Sequence, residues 1–254
     1  MYSVAGKVDI GVYEEQNDDR ALIGSYILET GEISTNINTD YVIAVVCDGV
    51  GGLAQGYRAA LMTLEECSRL NRDGVTAENI RDSIEVANQR IRNCQYLERM
   101  PMGLRTTIAG VYADSNKFIV FNAGDSRVYR FRFKYLTQLS KDHSLVQDLI
   151  DMGEVSKEES LNHPKKNVIN KCIGHEAVVN PRIVDMSDDF ADGDIIMVCS
   201  DGISDKVEDA DFKEILLEHS QDEDLMECSR LIYQKAIDKG SKDNMSIILL
   251  RKGE

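Results

Sequence analysis

Residues 41–52 read YVIAVVCDGVGG. Tyr41 to Cys47 are apolar or aromatic with no charge among them, and they run straight into Asp48 and Gly49. A short apolar run closed by glycines is a buried strand that stops at a tight turn. The Asp48 carboxylate then stands at the strand's end, with no bulky residue directly after it. The same pattern recurs in DIIMVCSDG, residues 194–202, which delivers Asp201, and in FIVFNAGDSR, residues 118–127, which delivers Asp125. In SKDNMSIILL, residues 241–250, Asp243 precedes the apolar run instead of following it.

Singly, each of these is an ordinary hairpin turn. Together they pose an electrostatic problem. Carboxylates gathered at strand ends repel one another unless something positive lies between them, and no basic motif accompanies these turns. Hard divalent cations with oxygen ligands meet that need.

The chain has 254 residues, enough for one large domain or two small ones, and is 43% hydrophobic, enough to fill a core. Its net charge of −15 argues against a nucleic-acid binder, because phosphate contacts require Lys and Arg. The same charge disfavours an anionic membrane surface. Six cysteines, at 47, 67, 94, 172, 199 and 228, form no CxxC pair and mostly sit in apolar segments, so they read as reduced core residues. No signal-peptide core or membrane-length apolar run is present, and the expectation is a soluble, cytoplasmic protein.

Outward from residue 41, Val8–Tyr13 and Ala21–Leu28 read as strands around EEQNDDR. Gln55–Arg72 and Ala77–Leu97 carry apolar residues at helical spacing. Thr106–Tyr112, Lys117–Ala123 and Arg127–Phe133 predict a three-stranded antiparallel meander. Leu145–Met152 is a short helix capped by Asp142 or Ser144, and Gly153–Asn167 is a polar surface excursion. A strand at Asp194–Ser200, helices at Glu208–Ser220 and Asp222–Lys239, and a strand at Met245–Arg251 complete the chain. Strands and helices cluster separately, which makes the class α+β.

In this order, NDD at 17–19, DGVGG at 48–52, MGLRTT at 102–107, GDSR at 124–127, LSKDHSLVQDLIDMGEVS at 139–156, HPKKNVINKCIG at 163–174, VCSDGISD at 198–205 and KDNMSIILL at 242–250 resemble the metal-dependent Ser/Thr protein phosphatase (PPM) family in its short bacterial form. The resemblance spans nearly the whole chain. It implies two packed antiparallel sheets flanked by helices on both outer faces, an αββα sandwich forming a single domain over 1–254 with a flap at about 143–174. It implies catalysis by Asp48, Asp201 and Asp243 through two divalent metals, Mn²⁺ or Mg²⁺. Asp48 would bridge both, the Gly49 carbonyl would bind one, and Asp201 and Asp243 the other. Asp125 matches a position that, with Asp201, holds a third metal in bacterial relatives; the alternative is that it only caps the turn into Arg127. Asp18 and Asp19 match an acidic pair that holds a metal-bound water or supports the ligand turn, and which of them faces the metal stays open. The implied activity is hydrolysis of phosphoserine and phosphothreonine on proteins, with a cognate Ser/Thr kinase among the partners and a monomeric enzyme. The alternatives are a pseudophosphatase that binds phosphoproteins without turnover, and a hydrolase of small phosphate esters.

The chain leaves the family pattern in three places. Glu14 stands where relatives place an Arg that grips the substrate phosphate, and Val50 stands where some have a His. Arg105 replaces a glycine beside the metal site. Either Arg105 supplies the missing guanidinium, or it points to solvent or pairs with a nearby acid. His143 reads as a turn histidine ahead of a helix rather than a general acid, and Thr106 and Thr107 as structural. Lys165, Lys166 and Lys171 form either a solvated basic patch or a contact for an acidic partner.

Overall fold

The structure, a computed structural model, describes all residues except 51–54, 101–102, 161–162, 220–224 and 254. Gly51 and Gly52 of the first acidic turn, Met102 of the MGLRTT segment and the ends of two expected helices at 220 and 222–224 therefore lie outside the described residues.

The strands are β1 Tyr2–Asp9, β2 Arg20–Ile23, β3 Tyr26–Leu28, β4 Gly31–Ile37, β5 Val42–Cys47, β6 Ile108–Ala113, β7 Phe118–Ala123, β8 Arg127–Arg132, β9 Tyr135–Gln138, β10 Arg182–Asp185, β11 Ile195–Cys199 and β12 Met245–Lys252. The helices are α1 Gly56–Ser68, α2 Ala77–Leu97, α3 Leu145–Asp151, α4 Lys157–Ser160, α5 Asp201–Ser204, α6 Asp209–His219 and α7 Leu225–Asp238. Two antiparallel six-stranded sheets result, ordered β4-β1-β12-β11-β8-β9 and β10-β7-β6-β5-β2-β3. Their inner faces pack together, α1 and α2 cover the second sheet, and α6 and α7 cover the first. This is the expected α+β sandwich.

The layering explains the unbroken apolar runs. Ile43, Val45 and Cys47 of β5 face the α1/α2 layer, while Val42, Ala44 and Val46 face the opposing sheet. In β12, Ile247 and Leu249 pack toward α6 and α7 while Ile248 and Leu250 enter the space between the sheets. A strand covered on both faces has no polar side, so period-two alternation disappears.

Several boundaries differ from the sequence expectations. The first strand runs over Tyr2–Asp9, and Val12 and Tyr13, 62% and 64% exposed, lie in the loop beyond it. Tyr2, Val4, Ala5 and Val8 supply the buried residues that hold β1 between β12 and β4. Ala21–Leu28 is a hairpin, β2 and β3, rather than one strand. The three-stranded meander divides: β6 and β7 pair in one sheet, but β8 pairs with β11 in the other. The turn carrying Asp125 therefore crosses from sheet to sheet. β4, β9 and β10 have no counterpart in the expectations; they are edge strands whose half-exposed residues carry little apolar pattern.

Candidate active site

The strand registers bring the acids to one end of the sandwich. Ala109 pairs with Val46 across β5 and β6, and the Thr107 N–H donates to the Asp48 carbonyl at 2.8 Å. Ile108 pairs with Ala123, so the turn holding Asp125 starts at the same level. In the other sheet Cys199 pairs with Arg127 and with Ile247. Asp201, Asp125 and Asp243 lie just beyond these pairs. The ends of β5, β7 and β11 and the starts of β8 and β12 thus meet where the two sheets open.

Two close approaches hold this end together. Gly49 and Gly56 pack backbone to backbone: a Cβ on Gly56 would sit 2.8 Å from the Gly49 carbonyl carbon. The first turn of α1 thereby presses on the Asp48 turn. At Gly202 a Cβ would run into the Asn244 carbonyl oxygen, so only glycine lets α5 lie against the residues that precede β12. That contact brings Asp201 beside Asp243.

Hydroxyls and amides fix the backbone. Thr106 Oγ1 donates to the Asp48 carbonyl at 2.8 Å, and the Asp48 N–H donates to Thr107 Oγ1 at 3.2 Å. Thr107 Oγ1 also meets Ser126 Oγ at 2.7 Å, tying the Asp48 turn to the Asp125 turn. The buried Asn244, which sequence reasoning missed, accepts from the Asp18 N–H at 2.7 Å and donates to the carbonyls of Ile10 and Gln16. Its place beside Asp243 was the available signal, since a buried amide knits several backbone groups at once.

Asp18 and Asp19 divide their labour. Asp18 Oδ1 accepts from the Tyr57 N–H at 3.0 Å, at the start of α1, while its carbonyl accepts from the Gly49 N–H at 3.3 Å. Asp19, 1% exposed, accepts from Ser200 Oγ. Both brace turns that carry other acids.

The electrostatics are those of crowded anions. Burial first, and then the charges of Asp201, Asp19, Asp243 and Asp125, push the Asp48 carboxyl well above its usual range. Burial and Asp243 raise Asp201 to about 6. Burial raises Asp19 to about 7, with Asp201 and Asp243 adding to it, against hydrogen bonds that pull it down. Asp125 and Asp243 are also raised, by burial first. One oxygen of this group, Asp201 Oδ1, is buried and among the described residues has no hydrogen-bond partner. An orphaned carboxylate oxygen among mutually repelling acids fits a hard cation. Among the described residues no three Asp, Glu, His or Cys side chains close on one ion.

His143 Nδ1 accepts from the Gly124 N–H at 3.3 Å, and the His143 N–H donates to the Gly124 carbonyl at 2.9 Å. Burial and the nearby Lys171 and Arg182 lower its pKa to about 4, so at neutral pH it is an uncharged brace for the Asp125 turn. Ser144, not Asp142, caps α3, accepting from the Gln147 N–H. Asp142 instead takes the Arg127 guanidinium bidentately at 2.7–3.1 Å. Lys166 pairs with Asp205 at 2.7 Å and joins the 143–174 segment to α5, while Lys171 donates to the Asn180 carbonyl. A cavity of about 280 Å³ opens here, lined by Glu14, Lys166, Asp201, Asp205, Lys206 and Asp243 among others. All six cysteines are free, five of them buried.

The family model for protein phosphatase 2C matches residues 32–227. The serine/threonine phosphatase stp of Listeria monocytogenes is 30% identical over 95% of this chain and 96% of its own. The crystal structure of the Mycobacterium tuberculosis serine/threonine phosphatase PstP superposes with a TM-score of 0.86 at 25% identity, covering all of both chains. A structure of the PstP catalytic domain in complex with two manganese ions shares the fold, with a TM-score of 0.80 at 23% identity and full coverage of both chains. The chain belongs to the protein phosphatase 2C family, in its short bacterial form. Its class is that of the bacterial serine/threonine phosphatases. No helix among the described residues is long and apolar enough to cross a membrane.

Proposed function

We propose that this chain removes phosphate from phosphoserine and phosphothreonine in proteins, in a reaction dependent on two divalent cations. The observation that carries the reading is the crowding of Asp48, Asp125, Asp201 and Asp243 at the sandwich end, with Asp201 Oδ1 buried and, among the described residues, unpartnered. Asp48, the Gly49 carbonyl, Asp201 and Asp243 would hold the two cations. Asp125, next to Asp201, would hold a third cation. When bound, Mn²⁺ or Mg²⁺ supplies the activation of a water and the neutralisation of phosphoryl charge.

The chain's own residues do the rest. Thr106, Thr107 and Ser126 lock the Asp48 and Asp125 turns in one geometry. Asp18 and Asp19 brace the turns around them. His143 holds Gly124 and stays uncharged at neutral pH, so the leaving serine or threonine oxygen takes its proton from water. The 143–174 segment forms a flap over this end, tethered at Lys166. The substrates are phosphorylated Ser/Thr proteins, a cognate kinase among them, and the enzyme works as a cytoplasmic monomer. The test is hydrolysis of an aryl phosphate and a phosphothreonine peptide with and without Mn²⁺. Binding of the peptide without turnover would indicate a pseudophosphatase; turnover of the aryl phosphate alone would indicate a small-ester hydrolase.

A further inference from the structure

We propose that Arg105 is the residue that grips the substrate phosphate in this chain. The inference rests on the phosphatase reading above and adds the group that binds the substrate.

The first observation is the state of the side chain. In the half-buried Arg105, Nε and Nη2 are both buried, and among the described residues neither has a hydrogen-bond partner. Among the described residues Arg105 makes no ion pair, against the alternative that it pairs with a nearby acid. A second guanidinium near the site, that of Arg127, is by contrast engaged by Asp142. Withdrawing a guanidinium from water without partners is costly, and natural structures leave few such donors unmet. A planar fork of free N–H groups matches phosphate oxygens.

The second observation is direction. Thr106 bridges Gly49 on one side and Ile173 on the other, so residues 104–107 form an extended segment between those chains. Side chains alternate along such a segment. Leu104 enters the core beneath α1 and α2, and Arg105 leaves on the face shared with Thr107. Thr107 on that face contacts the Asp48 N–H and Ser126. The Cys172 thiol feels both the Arg105 charge and that of Asp125, so the guanidinium and the Asp125 turn share one neighbourhood. The Val50 N–H donates to the Arg105 carbonyl at 3.0 Å, fixing the backbone from which the side chain projects.

The third observation is what Glu14 does. It lines the cavity beside Asp201 and Asp243. A carboxylate cannot donate to a phosphate dianion and repels it, so Glu14 cannot be the group that grips a phosphate here.

The test compares wild type, Arg105→Ala and Arg105→Gln, each loaded with Mn²⁺. Calorimetry reads the affinity for inorganic phosphate, and steady-state kinetics on a phosphothreonine peptide reads KM and kcat. Loss of charge-assisted hydrogen bonds should weaken phosphate binding and raise KM by roughly 10- to 100-fold, with a smaller change in kcat. Thermal melting without phosphate should be unchanged or higher in the variants, because a buried unpaired charge has gone. The rise in Tm that phosphate gives the wild type should be lost. Unchanged phosphate affinity in either variant overturns the proposal. So does a fall in kcat with affinity intact. Wild-type enzyme that binds phosphate through Arg105 but turns over no phosphopeptide would instead count against the phosphatase reading alone.

Discussion

Ser200 Oγ donates a 2.7 Å hydrogen bond to Asp19 Oδ2, and the same oxygen accepts from the Ser246 N–H at 3.0 Å. Three elements meet at this hydroxyl: the start of β2, the end of β11 and β12. Asp201 follows Ser200 directly, so the buried pair sets where one acid of the site stands. Ser200→Ala leaves the Asp19 carboxylate buried without that donor, and about 1–3 kcal/mol of stability should be lost. Urea unfolding of the metal-free protein measures it. A midpoint shift equivalent to under about 0.5 kcal/mol, the range of neutral surface changes, would show that the pair carries no structural weight.

A second expectation concerns pH. The raised carboxyls of Asp201, at about 6, and Asp19, at about 7, hold protons in the metal-free protein that they would not hold when unfolded. The folded state then binds more protons than the unfolded state between about pH 4 and 7, so stability falls as pH rises through that window. Cations reverse this by favouring the ionised forms. Mn²⁺ binding at pH 7 should release protons, and its apparent affinity should weaken as pH falls toward 6. Calorimetry in two buffers of different ionisation enthalpy counts the protons. Zero proton release at pH 7 would mean that the acids are already ionised and do not crowd one another.

Asp125 sits on the turn that crosses between sheets, next to Asp201 in charge and space. Asp125→Ala should lower turnover while two tight metal sites persist, because only the third position depends on it. Mn²⁺ titration of the variant decides. Loss of a tight site would place Asp125 among the primary ligands.

The 143–174 segment offers little core to its own helices. Val146 is the buried residue of α3, and α4 has none. Its ties to the body include the exposed pairs Lys166–Asp205 and Lys157–Asp209. Local opening should therefore be cheap, and amides of residues 153–160 and 163–167 should exchange faster than those of Val42–Val46. Equal protection would show a rigid extension of the core.

Much of this architecture was legible in the sequence, for a physical reason. The central strands are covered on both faces, so Tyr41–Cys47 and Ile247–Leu250 read as unbroken apolar runs, and the acids near their ends stood out. Edge strands such as Gly31–Ile37 were illegible because their exposed residues carry no pattern. The division of the meander was equally hidden: Gly124-Asp125-Ser126 reads as a hairpin turn, and nothing local says that the next strand joins another sheet. Long-range partners were beyond reach as well. That Asp142 would bind Arg127 rather than cap α3, or that Asn244 would hold the Asp18 loop, depends on residues far away in the chain or across the sheets.

In the proposed reaction Asp48 is the carboxylate that both cations would need. The most direct measurement is hydrolysis of a phosphothreonine peptide by wild type and Asp48→Asn, each with Mn²⁺ and with chelator. Wild-type activity should vanish on chelation and return with Mn²⁺ or Mg²⁺, and Asp48→Asn should lose roughly three orders of magnitude or more in kcat, since the amide cannot bridge and neutralise two cations. Near-wild-type turnover by Asp48→Asn, or wild-type turnover that survives chelation, would contradict it.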